Sequence, residues 1–271
     1  MADAIWADVE RRAAVLRDGG SPALCLAIVE AADDPASAAY LRQIQRLFER
    51  HDLTTVRRKP ETVSQDALNA LLDELAADSS VHGILVTQPL PAPLDLEAAL
   101  RHLPPDKDVE GVHPWNAGTL AQGRRAIVPS TPLAGMEILA ANGIELRGKS
   151  AVIVGRSPIV GRPLIQLLLL EHATVTVCHT RTVDLGGWTR QADVLLLAAG
   201  RADLIDGDMV KPGAIVVDFG INMVGDQMVG DAAFESVSQV AGAITPVPGG
   251  VGPVTNAVLA RNLVELAERM S

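Results

Sequence analysis

Ser150-Ala-Val-Ile-Val-Gly-Arg-Ser-Pro-Ile-Val-Gly-Arg-Pro-Leu-Ile-Gln-Leu-Leu-Leu-Leu170 places an apolar strand, Ser150–Val154, directly before a glycine-bounded turn and an apolar helix over 164–170. Strand, glycine turn and helix in that order open a nucleotide-binding α/β unit. Glycines let the backbone approach a pyrophosphate, and the free amides at the helix N-terminus face it with partial positive charge. The spacing from Gly155 to Gly161 is not G-x-G-x-x-G, so the same residues also read as a plain strand-to-helix turn.

Outward from this stretch the pattern repeats. Strands are predicted at Thr174–Cys178, 194–198 and 214–218 downstream, with a last helix over 255–270. Upstream, strands at 23–29, 53–58 and 83–87 alternate with helices at 37–51 and 65–78. That alternation is the signature of βαβ units around a mostly parallel sheet. Pro104-Pro105 and the polar stretch 117–125 interrupt it, and a helix over 131–142 restarts it, which marks a domain boundary.

The end of the strand at Thr174–Cys178 carries His179-Thr180-Arg181 and no acidic residue. An acidic residue there suits the free ribose of NAD, whereas a hydroxyl and a guanidinium suit the 2′-phosphate of NADP. NADP is therefore favoured over NAD, although Arg181 reads equally as a solvated surface charge. Ala199-Gly200 and Asp218-Phe-Gly-Ile-Asn222 put small residues where later strands would meet a dinucleotide, and Asp218 also suits a turn cap.

Ile244-Thr-Pro-Val-Pro-Gly-Gly-Val-Gly-Pro-Val-Thr255 is too rich in Pro and Gly for a helix or strand interior. It reads as a rigid functional loop that a ligand approaches closely, or as a stiff interdomain linker.

Composition excludes several classes. The chain has 271 residues, 48% hydrophobic and 3% aromatic, with a net charge of −10 and a mean hydropathy of +0.22. An aliphatic-cored soluble protein fits, and the acidic balance opposes nucleic acid and anionic membrane as partners. Cys25 and Cys178 both lie in apolar strand-like runs, as core residues rather than metal ligands or a disulfide. The N-terminal residues 1–16 are acidic and amphipathic, without the pattern of a signal peptide, and no apolar run reaches membrane-span length. A cytoplasmic location is expected.

Five motifs, in order, resemble those of bifunctional methylenetetrahydrofolate dehydrogenase/cyclohydrolase. They are Asp33-Asp-Pro-Ala-Ser-Ala-Ala-Tyr40, Pro105-Asp-Lys-Asp-Val-Glu-Gly111, Gly155-Arg-Ser-Pro-Ile-Val-Gly-Arg-Pro163, Val217-Asp-Phe-Gly-Ile-Asn222 and Thr245-Pro-Val-Pro-Gly-Gly-Val-Gly-Pro253. The resemblance spans nearly the whole chain. It implies a two-domain α/β fold: a folate-binding domain over 1–125, completed by a C-terminal helix over 252–271, and an NAD(P)-binding Rossmann domain over 126–251. A folate substrate, an NADP cofactor, a homodimer through the Rossmann domain and no metal follow from the same resemblance.

Carried onto this chain, the family's cofactor contacts fall on Gly155, Arg156, Ser157, Ile159, Gly161, Thr180, Arg181, Ala199, Gly200, Ile221 and Thr255. Its substrate contacts fall on Tyr40, Gln88, Glu110, Pro248, Gly249, Gly250 and Pro253, and its catalytic positions on Tyr40, Ile44, Thr87 and Glu110.

Three of these depart from the family pattern. The family's catalytic Lys, four residues after the Tyr, is Ile44 here, and Arg42 and Arg46 stay protonated and are no general base near neutral pH. Thr87 stands where the family has the Gln that assists the Lys; Gln88 is one residue on, and in a strand over 84–88 it points to the opposite face. Glu110 replaces an Asp that binds the pterin edge. His113 and Trp115 follow it in a loop that edges the cleft or is purely structural. The expected activity is an NADP-dependent methylenetetrahydrofolate dehydrogenase with the cyclohydrolase step lost or very weak. The alternatives are a specialised paralogue acting on a modified folate or other one-carbon donor, and a non-catalytic folate- or NADP-binding homologue.

Overall fold

Helix α1 (Ala2–Asp18) buries Ile5, Trp6, Val9 and Ala13, the spacing of one helical face. β1 (Cys25–Val29), α2 (Pro35–Arg50), β2 (Thr54–Arg58), α3 (Gln65–Ala77) and β3 (Gly83–Val86) follow, then the short α4 (Leu96–Leu100) and α5 (Pro114–Ala121). The computed structural model describes residues 1–31 and 35–270; Asp33 and Asp34 of the first motif lie outside the described residues.

β1 is the centre of a parallel sheet of order β2-β1-β3. All five of its residues are buried, as expected of a parallel strand covered on both faces. Ala27 and Val29 share one core with Leu68, Leu72, Leu75, Ile84 and Val86. Leu26 and Ile28 alternate to the other face and are also fully buried. Both ends of α3 are capped. The Ser64 hydroxyl accepts the N–H of Ala67 at 3.2 Å. Lys107 Nζ donates to the carbonyls of Leu75, Ala76 and Asp78 at 3.2, 2.9 and 2.6 Å, so a cation meets the carbonyls left over at the helix C-terminus.

The chain divides into two compact units, Ala2–Gly118 with Asn256–Ser271, and Thr119–Thr255. The second contains α6 (Ser130–Ala141), β4 (Ser150–Val154), α7 (Gly161–Leu170), β5 (Thr174–Cys178), α8 (Leu185–Thr189), β6 (Val194–Leu197) and β7 (Ile215–Asp218). A hairpin of β8 (Asn222–Val224) and β9 (Gln227–Val229), α9 (Phe234–Ser238) and β10 (Ala243–Ile244) follow in the second unit, and α10 (Val251–Met270) starts there and belongs to the first unit from Asn256 on. The sheet of the second unit runs β10-β7-β6-β4-β5 with every pair parallel. β4 pairs with β5 on one side and β6 on the other, so the winding reverses there. In open α/β sheets ligands bind beyond the carboxyl ends of the strands at such a reversal. Cys25 and Cys178 are buried and free, in β1 and β5.

The α/β class holds, with local differences. α5 occupies part of the stretch read as a polar interruption, and the β8–β9 hairpin has no counterpart in the sequence reading. α10 begins at Val251, inside the Pro/Gly segment, and takes Gly252 and Pro253 into its first turn. A first turn tolerates proline because its missing N–H has no intrahelical partner there. β3 stops at Val86, so Thr87 and Gln88 lie beyond the strand.

Candidate active site

In the unit of β1–β3, chain connectivity brings several singled-out residues to the carboxyl edge of the sheet. α2 follows β1, so its early turns, with Tyr40, start from that edge. Thr87 lies just past β3. The segment after Lys107 pairs alongside it: the Ile84 N–H donates to the Lys107 carbonyl at 2.7 Å, and Ile84 bridges Asp108 in parallel. Glu110 therefore emerges level with the end of β3.

The backbone before Glu110 is immobilised. Asp108 is fully buried, and its carboxylate accepts from Asn116 Nδ2 at 2.8 Å and from the N–H groups of His113 and Val112 at 2.8 and 3.2 Å. Asn262 of α10 donates Nδ2 to the Val109 carbonyl at 3.0 Å. Glu110 is half-buried; desolvation by the surrounding protein pushes its carboxyl up to about 8 and the Asp108 charge adds to it, which favours the protonated form over that of an ordinary carboxylate near neutral pH. Tyr40 keeps 41% of its surface accessible. Its hydroxyl is nonetheless held well above the usual phenol value, first by desolvation from surrounding protein and then by the Glu110 charge.

Ile44, one turn beyond Tyr40, is 0% exposed, as are its helix neighbours Leu41 and Phe48. It belongs to the core and offers no group to a ligand's proton. Thr87 sends both its N–H and its hydroxyl to the Val29 carbonyl, at 3.0 and 3.1 Å. Its hydroxyl proton is engaged in holding β3 to β1. Strand alternation ends at Val86, so Thr87 and Gln88 do not take opposite faces of a strand as expected; Gln88 is half-buried and joined to Pro89 by a cis peptide bond. His113 Nδ1 accepts the N–H of Trp115 at 3.0 Å, and Trp115 is 69% exposed.

In the other unit the loops after β4 and β6 stand at the winding reversal. Gly155 has φ 127° and lies so close to the β6 loop that an added Cβ would fall 2.1 Å from the Ala198 carbonyl oxygen. A Cβ at Gly161 would fall 2.4 Å from the Gly155 oxygen. Ser157 Oγ accepts the N–H groups of Val160 and Gly161 at 3.1 and 3.4 Å, shaping the entry to α7. Arg156 and Ser157 are exposed and Ile159 half-buried on this turn, with Ala199 and Gly200 exposed on the facing one. The two glycines therefore serve close backbone packing between the end of β4, the β6 loop and the start of the ten-residue α7, and Ser157 takes the first amides of that helix.

Beyond β5 the His179 N–H donates to Thr182 Oγ1 at 2.8 Å, and His179 Nδ1 accepts the Arg181 N–H at 3.1 Å. This compact turn leaves Thr180 and Arg181 exposed. Ile221 is exposed, while Thr255 is buried with its hydroxyl on the Val251 carbonyl at 3.2 Å. In the Pro/Gly segment the Gly250 N–H donates to the Pro246 carbonyl at 2.9 Å, and Gly249 takes φ 101°. Pro248, Gly249 and Pro253 are exposed and Gly250 is half-buried. These four residues belong to the Thr119–Thr255 unit, whereas Tyr40, Gln88 and Glu110 belong to the other. Asn116 and Asn262, which fix the Glu110 segment, belong to no sequence motif; a buried asparagine shows its role only once its partners are placed.

Residues 1–110 match the family model for the tetrahydrofolate dehydrogenase/cyclohydrolase catalytic domain, and residues 129–271 match that for the NAD(P)-binding domain of the same family. The chain belongs to the tetrahydrofolate dehydrogenase/cyclohydrolase family. Among relatives of this family, the bifunctional protein FolD of Chloroflexus aggregans is 49% identical over 269 residues, covering 98% of this chain and 94% of its own. The bifunctional FolD crystal structure from Campylobacter jejuni superposes with a TM-score of 0.96 at 42% identity, over 100% of this chain and 96% of that one. The Trypanosoma brucei FolD structure, complexed with NADP cofactor and inhibitor, gives a TM-score of 0.94 at 34% identity, over 99% and 95%.

Proposed function

We propose that this chain is an NADP-dependent 5,10-methylenetetrahydrofolate dehydrogenase whose cyclohydrolase step is lost or very weak. The observation that carries the reading is Ile44: at the family's lysine position stands a fully buried hydrocarbon. Thr87 does not compensate, because its hydroxyl already donates to Val29. Ring opening of the methenyl cation needs proton transfers around an attacking water, and losing a positioned acid/base typically costs roughly 100- to 10,000-fold.

Hydride transfer makes a different demand. NADP, when bound, supplies the hydride acceptor, and the protein's part is to bind and orient. In this reading residues 126–251 hold the dinucleotide, with the Gly155–Gly161 turn on its pyrophosphate and Thr180 and Arg181 on its 2′-phosphate. Residues 1–125 with 252–271 hold the folate. The neutral Glu110 carboxyl and the Tyr40 hydroxyl both offer a proton to a pterin edge. A cytoplasmic homodimer through the Rossmann domain completes the proposal, supported by the family resemblance.

An absorbance time course tests it. Purified protein, NADP or NAD and methylenetetrahydrofolate are mixed, and methenyl appearance and decay are followed against a protein-free control. NADP-dependent appearance with uncatalysed decay is the expected result. Enzyme-accelerated decay overturns the loss of cyclohydrolase, and no appearance at all overturns the dehydrogenase reading in favour of another one-carbon donor or a non-catalytic binder.

A further inference from the structure

Past the β8–β9 hairpin the chain carries Gly230-Asp231, which belongs to none of the five motifs. Asp231 is 0% exposed, and both oxygens of its carboxylate are saturated. Oδ2 accepts the main-chain N–H groups of Ala199 at 2.6 Å and Gly200 at 3.0 Å. Oδ1 accepts that of Arg201 at 2.8 Å and Asn222 Nδ2 at 3.0 Å. Three successive amides converging on one carboxylate form a nest, the kind of concavity that holds free anions in other proteins. Here a side chain of the same unit fills it.

Asp231 is itself held in place. Its N–H donates to Asp218 Oδ1 at 3.1 Å, the next N–H, of Ala232, donates to Asp218 Oδ2 at 2.8 Å, and the Asp218 N–H donates to Thr245 Oγ1 at 2.8 Å. Glycines make room for both carboxylates: a Cβ at Gly220 would fall 2.4 Å from Asp231 Oδ1, and one at Gly230 2.1 Å from Asp218 Oδ2. Thr245, Asp218 and Asp231 thus tie the carboxyl ends of β10, β7 and β6 into one network. The loop at the end of that network is the one whose Ala198 carbonyl abuts Gly155 at the winding reversal.

We propose that Asp231 is a positioning residue for dinucleotide binding: it locks the backbone of residues 199–201 into the shape that the cofactor meets. The inference rests on the NADP reading above. Asp231→Asn keeps size and shape but turns one oxygen, which accepts two N–H groups, into a donor facing two donors. Whichever way the amide lies, two of the four hydrogen bonds are lost.

The full-length protein is titrated with NADPH, and hydrogen exchange is measured at the amides of 199–201. Asp231→Asn is expected to weaken NADPH binding about 10-fold or more and to speed exchange at these amides. Val237→Ala, in the buried core of the same unit, is the control: it lowers thermal stability but leaves NADPH affinity and exchange at 199–201 unchanged. If Asp231→Asn behaves like this control, the proposal is overturned. Should the Asn variant not fold, Asn222→Ala removes one donor; about 2- to 5-fold weaker binding with faster exchange supports the proposal, and wild-type values in both overturn it. Wild-type protein that binds no NADPH overturns the NADP reading together with this inference, whereas equal binding by wild type and Asp231→Asn overturns this inference alone.

Discussion

Asn262 of α10 donates its side-chain amide to the main-chain carbonyl of Val109 at 3.0 Å, one residue before Glu110. Both residues are buried. The C-terminal helix thereby fixes the segment that presents the carboxyl. Asn262→Leu leaves a buried carbonyl without this donor, and a loss of about 1–3 kcal/mol is expected in urea unfolding. Because Glu110 loses its anchor, KM for the folate should rise more than kcat falls.

Ile44→Lys places an ammonium in a fully buried site and should lower stability by about 2–4 kcal/mol. Burial also lowers the ammonium's own proton affinity, which is what a general base at neutral pH requires. Combined with Thr87→Gln, it should introduce enzyme-accelerated methenyl decay, read as absorbance loss above the protein-free rate. A double variant that folds but shows only uncatalysed decay would mean that further residues block ring opening.

Glu110 gives stability a defined pH dependence. Its carboxyl is raised from 4.5 to about 8 in the fold, so the folded state binds the proton more tightly than the unfolded state. The contribution is fully present below about 4.5 and is lost as pH rises through about 8. Asp108, raised by the same burial, acts with the same sign. Urea unfolding at pH 5, 6, 7 and 8 should therefore show wild type losing stability relative to Glu110→Gln across this range. A constant difference between the two proteins would contradict the assignment.

Gly155→Ala tests the turn proposed to meet the dinucleotide. Its φ of 127° disfavours any side chain, and the new Cβ would overlap the Ala198 carbonyl oxygen. Strain and displacement of the β6 loop should cost about 3 kcal/mol or more. NADPH affinity should fall below detection in a fluorescence titration, while Gly118→Ala in α5, with open space around its Cβ position and no left-handed φ, should leave it intact.

The parallel α/β architecture was legible because burial is written locally. Short runs rich in β-branched residues such as Ala27–Ile28–Val29 and Val152–Ile153–Val154 have no polar face, which suits strands covered on both sides. The glycines at 155 and 161 were legible for a similar reason: no other residue fits between a strand end and a helix start packed this closely. The start of α10 was not, because proline and glycine density suggests a loop until the first helical turn is seen to accept them.

By itself the sequence determined the chemistry available: closely spaced glycines at 155 and 161, a lone tyrosine, and Ile44, Thr87 and Glu110 at positions that the family resemblance marks as catalytic. Tertiary structure alone decided how those groups are deployed. The Thr87 hydroxyl turns to Val29, Lys107 caps α3, Asn262 anchors Val109 and Asp231 gathers the amides of Ala199, Gly200 and Arg201. Each is a hydrogen bond between residues distant in the chain. Local pattern records which residues avoid water, but a polar side chain's partner is fixed only when the fold brings the two together and excludes the water that would otherwise take its place.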